Sequence, residues 1–351
     1  MEISMPVLLS DYDYELPEDR IAQTPVEPRD AARLLCVSRA DGSLTDRVFR
    51  DLPDLLNPGD LLVVNETRVS AARLFGVREG ATGEIEALVL RPAIERGEGV
   101  YEALVRPGKK VREGTKLQFP EAGLTAESVG VAPGGGRFLR FDGEPDAIRE
   151  ALDRRGRVPL PPYITAPLSD RERYQTIYAK TPGSAAAPTA GLHFTPEVFA
   201  RLEEKGVSVA KVRLDVGLGT FRPIKVDDVS AHEMHAETFC VPDETARAVN
   251  SCQGRVIAVG TTSLRALESA ARLGGAGERV APCEGETDIF LFPGHEFRAI
   301  DGLVTNFHQP HSTLLLLVAA LAGRDLMKAA YNRALAEGYR FLSFGDAMFV
   351  S

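Results

Sequence analysis

Between Gly76 and Gly143 the chain changes texture: 13 of its 32 glycines fall in these 68 residues, and no long helical period runs through them. Short apolar stretches separated by turns stand there instead: "RLFGV", "EIEALVL", "VYEALV", "TKLQF", "LTAESVGV" and "RFLRF". Alternating apolar residues punctuated by glycine specify antiparallel strands, and strands this short close into a small barrel or sandwich. A helix is expected next over "EPDAIREALDRRG", with Ile148 and Leu152 on its apolar side and Gly156 as its stop. The Pro-rich "VPLPPYITAP" that follows reads as an extended connection.

Beyond that connection, helix and strand alternate. "TPEVFARLEEKG" has Thr195 as N-cap, Pro196 at the first helical position and Gly206 as its end. "VSVAKVRLDV" is a strand with Ala210, Val212, Leu214 and Val216 on one face, and "RVIAVG" is a buried strand followed by the helix "SLRALESAARLGG". Asp243 is expected to cap "PDETARAVNS", Asp325 to cap "LMKAAYNRALAEG", and "YRFLSFGDAMFV" to form a last strand. Strands that alternate with helices imply an α/β layer with parallel pairing. The expected architecture is therefore a discontinuous α/β domain, residues 1–72 and 153–351, interrupted by an antiparallel β-barrel inserted at 73–152. With 44% hydrophobic and 26% charged residues, the 351-residue chain is long enough to bury two cores.

Several classes are excluded or weakened. The apolar run Leu314–Ala322 is far short of the roughly 20 residues a helix needs to cross a bilayer. "MEISMPVLLSDYDYE" has no basic start and no export-length apolar stretch, so a cytoplasmic location without membrane association is expected. The four cysteines contain no C-x-x-C pair and are expected to be reduced thiols. A net charge of −9 speaks against a nucleic-acid binder. Against that, "RPGKKVREGTK" holds five basic residues, Lys109 and Lys110 among them, and "REALDRRGR" holds Arg149, Arg154, Arg155 and Arg157. Each run is either a solvated face or a phosphate contact.

The motifs differ in weight. "HEMHAE" places His232 and His235 at i and i+3 where a metallopeptidase helix needs i and i+4, so no metal is expected. "LDVGLGTF" offers Asp215, Gly217 and Gly219 at a strand end, but Phe221 and Pro223 stand where a nucleotide-binding loop needs a third glycine and a helix. "VIAVGTTSLRALES" is stronger. Strand, turn and helix put Thr261, Thr262 and Ser263 with free first-turn N–H groups at a strand's carboxyl end, suited to a carboxylate, ribose or phosphate; simple N-capping by Thr262 or Ser263 is the alternative. "GSAAAPTAGLHFT" brings small residues up to His193. In "TNFHQPHSTLLLLVAALAG", Ser312 or Thr313 caps a buried helix, leaving Asn306, His308 and His311 as a polar rim.

Along nearly its whole length the chain resembles the S-adenosylmethionine:tRNA ribosyltransferase-isomerases of queuosine biosynthesis. The resemblance is carried by "DYDYELPEDRIAQTPVEPRDAARLL", "LLVVNETRV", "YQTIYA", "GSAAAPTAGLHFT", "DVGLGTFRPI", "HEMHAE", "VIAVGTTSLRALES", "TDIFLFPGHEF", "LVTNFHQPHSTLLLLVAALAG" and "YRFLSFGDAMFV". It implies an enzyme that uses S-adenosylmethionine as ribosyl donor and co-substrate, with no permanently bound cofactor. The acceptor is 7-aminomethyl-7-deazaguanine at the wobble position of a tRNA anticodon; the products are epoxyqueuosine, adenine and methionine. It also implies an α/β domain carrying an inserted β-barrel.

That chemistry requires a base for the C5′ hydrogen that the sulfonium acidifies, a protonated leaving adenine and a neutral attacking amine. His193, His235, Glu237, Asp288 and His308 are the candidates for these steps. Asp215, Gly217, Gly219, Thr261, Thr262, Ser263 and Asn306 are the candidates for binding S-adenosylmethionine, and Asp215 and Asp288 also suit the sulfonium's charge. Many members carry His where this chain has Asp215, which points to binding there; at His311 a basic residue such as Arg is common, which points to RNA. Phe239 stands near a position where the family often has Trp. The tRNA substrate favours Lys109, Lys110, Arg154, Arg155, Arg157 and His311 as RNA contacts. A monomer is expected. The rival readings are an S-adenosylmethionine-dependent methyltransferase built on "LDVGLGT" and a non-catalytic RNA-binding protein built on the barrel.

Overall fold

The computed structural model describes residues 6–70, 72–132, 135–217 and 223–351. One unit comprises Met1–Thr67, Pro161–Thr181 and Ala187–Ser351; the other comprises Arg68–Leu160 and Pro182–Ala186. The first unit opens with an antiparallel pair, β1 (Arg33–Val37) and β2 (Leu44–Val48), then α1 (Leu52–Leu55) and β3 (Leu61–Asn65). All five residues of β3 are buried, as expected of an unbroken apolar run at the centre of a sheet covered on both faces. The short strands β4 (Thr67–Val69) and β11 (Thr181–Ser184) pair as a ribbon.

In the second unit the six glycine-punctuated stretches become six strands. They are β5 (Ala72–Arg78), β6 (Glu84–Pro92), β7 (Val100–Arg106), β8 (Lys116–Phe119), β9 (Leu124–Val131) and β10 (Arg137–Phe141). All pair antiparallel and close into a barrel in the order β10-β7-β6-β5-β8-β9. A barrel this narrow is filled by its own side chains, here Leu74, Ile85, Ala87, Leu117, Phe119 and Leu139. Ile148 and Leu152 of α2 (Pro145–Arg155) join the same core. Gly156 ends that helix in an extended conformation, not the left-handed turn expected of a terminal glycine. Its lack of a side chain is needed for another reason: a Cβ there would stand 2.5 Å from the Cβ of Ala72.

The first unit then completes its nine-stranded sheet with β12 (Ser208–Leu214), β13 (Glu237–Val241), β14 (Val256–Val259), β15 (Cys283–Thr287), β16 (Gly302–Asn306) and β17 (Ala347–Val350), in the order β15-β13-β12-β3-β14-β16-β17-β1-β2. The central four, β12, β3, β14 and β16, are parallel, while β13, β15 and β17 run antiparallel to their inner neighbours. Register aligns Val212 with Asn65, Val64 with Val259, and Val259 with Val304, so the four carboxyl ends finish side by side. On one face Leu62, Val64, Ile257, Val259 and Val304 pack against Phe194 and, from α3 (Pro196–Glu204), Val198 and Leu202. Helix α5 (Gly260–Ala271), buried at every position, packs against β3, β12, β13, β14 and β16.

Three local expectations are corrected. Helix α4 (Asp243–Ser251) has Pro242 at its N-cap, and α7 (Arg324–Ala336) has Gly323, neither with a side-chain cap. Asp243 and Asp325 stand instead in the first turns, where a carboxylate faces the positive end of the helix dipole. The last strand is only Ala347–Val350, because Leu342 adopts φ 70° and turns the preceding segment. Ser312 does cap α6 (Thr313–Ala322), its hydroxyl accepting from the Leu315 N–H at 3.2 Å. Among the described residues no helix is long and apolar enough to cross a membrane, and no group of three or more His, Cys, Asp or Glu is placed to hold a metal.

Candidate active site

Open α/β sheets bind ligands outside the carboxyl ends of their strands, and here that edge carries most of the polar residues singled out from the sequence. Asn65, the last residue of β3, is fully buried. Its Nδ2 donates to the Leu214 carbonyl at 2.8 Å, and its Oδ1 accepts from the Leu214 N–H at 3.1 Å and the Thr67 N–H at 3.1 Å. The amide thus prolongs the β3–β12 ladder and delivers Asp215 to the edge. There the Thr67 hydroxyl donates to Asp215 Oδ1 at 2.6 Å, and Arg213 Nε lies 3.7 Å from Oδ2.

One residue pair beyond Asp215, the Gly217 N–H donates to Glu237 Oε1 at 2.8 Å. The other oxygen of Glu237 receives Nη1 of Arg265, and both side chains are about 95% buried, at 4% and 5% exposure. Arg265 Nε donates to the Ile289 carbonyl at 3.2 Å. Glu237 therefore spends both oxygens on internal donors. It fixes the start of the loop after β12 and does not present a free carboxylate. Gly219 lies outside the described residues. Phe239 is buried in β13 and offers no exposed ring for stacking on a base.

Helix α5 begins directly at the end of β14. Gly260 has φ 85°, and the N-cap, Val259, supplies no side-chain acceptor to the first-turn N–H groups. The capping alternative fails at both hydroxyls. Ser263 turns its Oγ back to the Val259 carbonyl at 2.8 Å, and Thr262 Oγ1 is buried with no partner among the described residues. A wholly buried helix of 12 residues thus presents an uncapped, partially positive end at a strand terminus.

At the end of β16, Asn306 Oδ1 accepts from the Thr189 hydroxyl at 2.9 Å, and its Nδ2 donates to His193 Nε2 at 3.3 Å. His193 lies 5.0 Å from the Phe49 ring at 33°. Burial pushes its imidazole down to about 4; the Arg29 carbonyl opposes this, and the Arg340 and Arg29 charges add to it. His308 Nε2 lies 2.8 Å from the Thr305 hydroxyl; its N–H donates to the Tyr331 hydroxyl at 3.0 Å, and its carbonyl accepts from Tyr14. Burial pushes its imidazole down to about 3. Both histidines are neutral near pH 7 and held by internal partners.

His235 precedes β13 and Asp288 follows β15; Glu237 pairs with Thr287, so the two lie at the same end of that strand pair, and both are exposed. His232 packs edge-on to Phe290 at 5.2 Å and is shifted down by burial and by His235. His311, at φ 57°, is 46% exposed with Nε2 3.1 Å from Asp13 Oδ2. Sequence reasoning missed Asn65, Thr67 and Arg265. The signals were an Asn closing an otherwise apolar strand and one arginine inside a helix whose other positions, Glu268 apart, are small, apolar or short polar residues.

In the barrel unit, Lys109 and Lys110 sit on an exposed turn, Gly108–Lys110, held by Arg137, which donates to the carbonyls of Gly108 at 2.7 Å and Val111 at 2.6 Å. Neither lysine, nor Arg106, Arg112 or Lys116, has a carboxylate partner among the described residues. The second basic cluster differs. Arg154 pairs with Glu150 at 2.9 Å, Arg157 with Glu121 at 3.2 Å, and Arg155 reaches the Ala122 carbonyl at 3.5 Å.

Comparison with known proteins agrees along the whole chain. A family model described as a queuosine biosynthesis protein matches residues 9–350. A protein of Desulfitobacterium hafniense named S-adenosylmethionine:tRNA ribosyltransferase-isomerase is 53% identical over 345 residues, 97% of this chain and 99% of its own. A protein of the same name from Symbiobacterium thermophilum is 52% identical with the same coverage. The crystal structure of an S-adenosylmethionine tRNA ribosyltransferase from Thermotoga maritima is similar at 38% identity and a TM-score of 0.55, covering 97% of this chain and 100% of that one.

Proposed function

The chain belongs to the queuosine biosynthesis family of S-adenosylmethionine:tRNA ribosyltransferase-isomerases, and from that membership we propose its reaction in detail. It transfers and isomerises the ribosyl group of S-adenosylmethionine onto 7-aminomethyl-7-deazaguanine at the tRNA wobble position, releasing adenine and methionine. The observation that carries the placement of the site is the uncapped, buried N-terminus of α5 on the same sheet edge as Asp215.

On this reading the edge binds the donor through Asp215, Gly217, Gly219, Thr261, Thr262 and Asn306, with Ser263 contributing its backbone N–H, since its hydroxyl is held by the Val259 carbonyl. Asp215 and Asp288 offset the sulfonium. His235 and Asp288, exposed at one end of the β13–β15 pair, are the groups able to exchange protons with solvent and so to serve the C5′ hydrogen or the leaving adenine. His193 and His308, neutral and held internally, serve as oriented hydrogen-bonding groups, and Glu237 as a positioning residue. The catalytic domain is 1–72 and 153–351. The insert, 73–152, carries Lys109 and Lys110 as phosphate contacts, while the carboxylate partners of Arg154 and Arg157 leave that cluster and His311 a lesser share. The enzyme works as a cytoplasmic monomer.

Mass spectrometry of both the wobble nucleoside and the small molecules, after incubation with S-adenosylmethionine and a tRNA bearing 7-aminomethyl-7-deazaguanine, tests this. Epoxyqueuosine with adenine and methionine is expected. S-adenosylhomocysteine would identify a methyltransferase, and tight tRNA binding without turnover an RNA-binding module.

A further inference from the structure

Helix α5 carries two buried polar atoms with no partner among the described residues, Thr262 Oγ1 and Arg265 Nη2. Their residues are 8% and 4% exposed, and a spacing of i, i+3 places them on one side of the helix. Buried donors left unmet are costly and rare, so two on one helix face call for an explanation. Beside them are the first-turn N–H groups, which Val259 does not cap and from which Ser263 has turned its hydroxyl away. Gly260 enters that turn at φ 85°, a left-handed conformation that favours glycine.

Arg265 is fixed in direction by its other nitrogens. Nη1 is held by Glu237 and Nε by the Ile289 carbonyl, which leaves Nη2 as the guanidinium nitrogen without a partner among the described residues. We propose that Arg265 Nη2, Thr262 Oγ1 and the first-turn N–H groups of α5 together bind a carboxylate, that of the methionine portion of S-adenosylmethionine. The proposal rests on the reading of S-adenosylmethionine as the donor. Glu237 already neutralises the guanidinium, so the site offers hydrogen bonds and a helix dipole without an uncompensated charge. That suits a monoanionic carboxylate better than a dianionic phosphate.

The test compares kcat/KM for S-adenosylmethionine with that for decarboxylated S-adenosylmethionine, each with saturating substrate tRNA and the full chain. The wild-type protein is expected to prefer the carboxylated donor by about 10- to 100-fold, the range of a lost charge-assisted hydrogen bond. Thr262→Val and Arg265→Lys are each expected to lower kcat/KM for S-adenosylmethionine by a larger factor than for the decarboxylated donor, and so to narrow that preference. Arg265→Lys keeps a cation opposite Glu237, and the wild-type comparison needs no variant at all. Equal use of the two donors by the wild type, or a preference both variants retain, would overturn the site alone. Absence of ribosyl transfer from either donor would overturn the donor reading and this site with it.

Discussion

Replacing Glu237 with alanine strands Arg265, a guanidinium whose residue is 4% exposed, and takes the acceptor from the Gly217 N–H. Removing one partner of a buried ion pair costs about 3–5 kcal/mol, because the other charge stays in a medium that does not solvate it. The orphaned amide adds about 1 kcal/mol, for a total of about 4–6 kcal/mol against the roughly 5–15 kcal/mol that holds most proteins folded. Removing both charges, as in Glu237→Leu with Arg265→Met, leaves no stranded ion and is expected to recover most of that loss. Urea unfolding followed by tyrosine fluorescence measures it cleanly, since the chain has no tryptophan and seven of its eight tyrosines lie in the α/β unit. A loss below about 1 kcal/mol in the single variant, or a double variant as unstable as the sum of its parts, would refute the account of the pair.

Other consequences are open to measurement. The folded imidazoles of His193 and His308 titrate at about 4 and about 3, below the ordinary 6.5, so the unfolded chain binds protons that the native one refuses. Their stabilisation is whole above pH 6.5 and declines on acidification by about 1.4 kcal/mol per pH unit for each histidine; urea midpoints from pH 6.5 to 5 measure the slope, which His308→Gln should halve and a flat profile would contradict. Lys109→Ala with Lys110→Ala is expected to lower the slope of log affinity for tRNA against log salt by about 2 without altering turnover of bound substrate; titrations over a salt series decide it, and an unchanged slope counts against the contact. Asn65→Leu leaves the Leu214 and Thr67 backbone groups unmet and should cost about 2–4 kcal/mol, read by the same unfolding assay.

The barrel was legible because its strands are short, alternate apolar residues and are punctuated by glycine, so each of the six apolar stretches maps onto one strand in order. Of the central strands, β14 was legible as a buried apolar run and β12 by its alternation. Helix starts were harder: Pro242 and Gly323 occupy the cap positions that Asp243 and Asp325 suggested, and backbone conformation, not side-chain type, decided between them. In the site, the Gly-Thr-Thr-Ser turn could be read locally because strand, turn and helix are contiguous. Asn65 and Arg265 could not. Asn65 meets Leu214 across 149 residues, and Arg265 meets Glu237 across 28 and Ile289 across 24; a partner that only the folded sheet brings near leaves no local pattern. Glu237 shows the converse, an acid in a suggestive motif whose oxygens the fold had already used.

The central claim is that the sheet edge directs chemistry to the ribose of S-adenosylmethionine and not to its methyl group. Its most direct test supplies the donor in two labelled forms, one with carbon-13 in the ribose and one with carbon-13 in the methyl, and follows each label into tRNA. The account predicts that the ribose label enters the wobble nucleoside as adenine is released, while the methyl label leaves with methionine. Methyl label in the tRNA with the ribose label absent would contradict it.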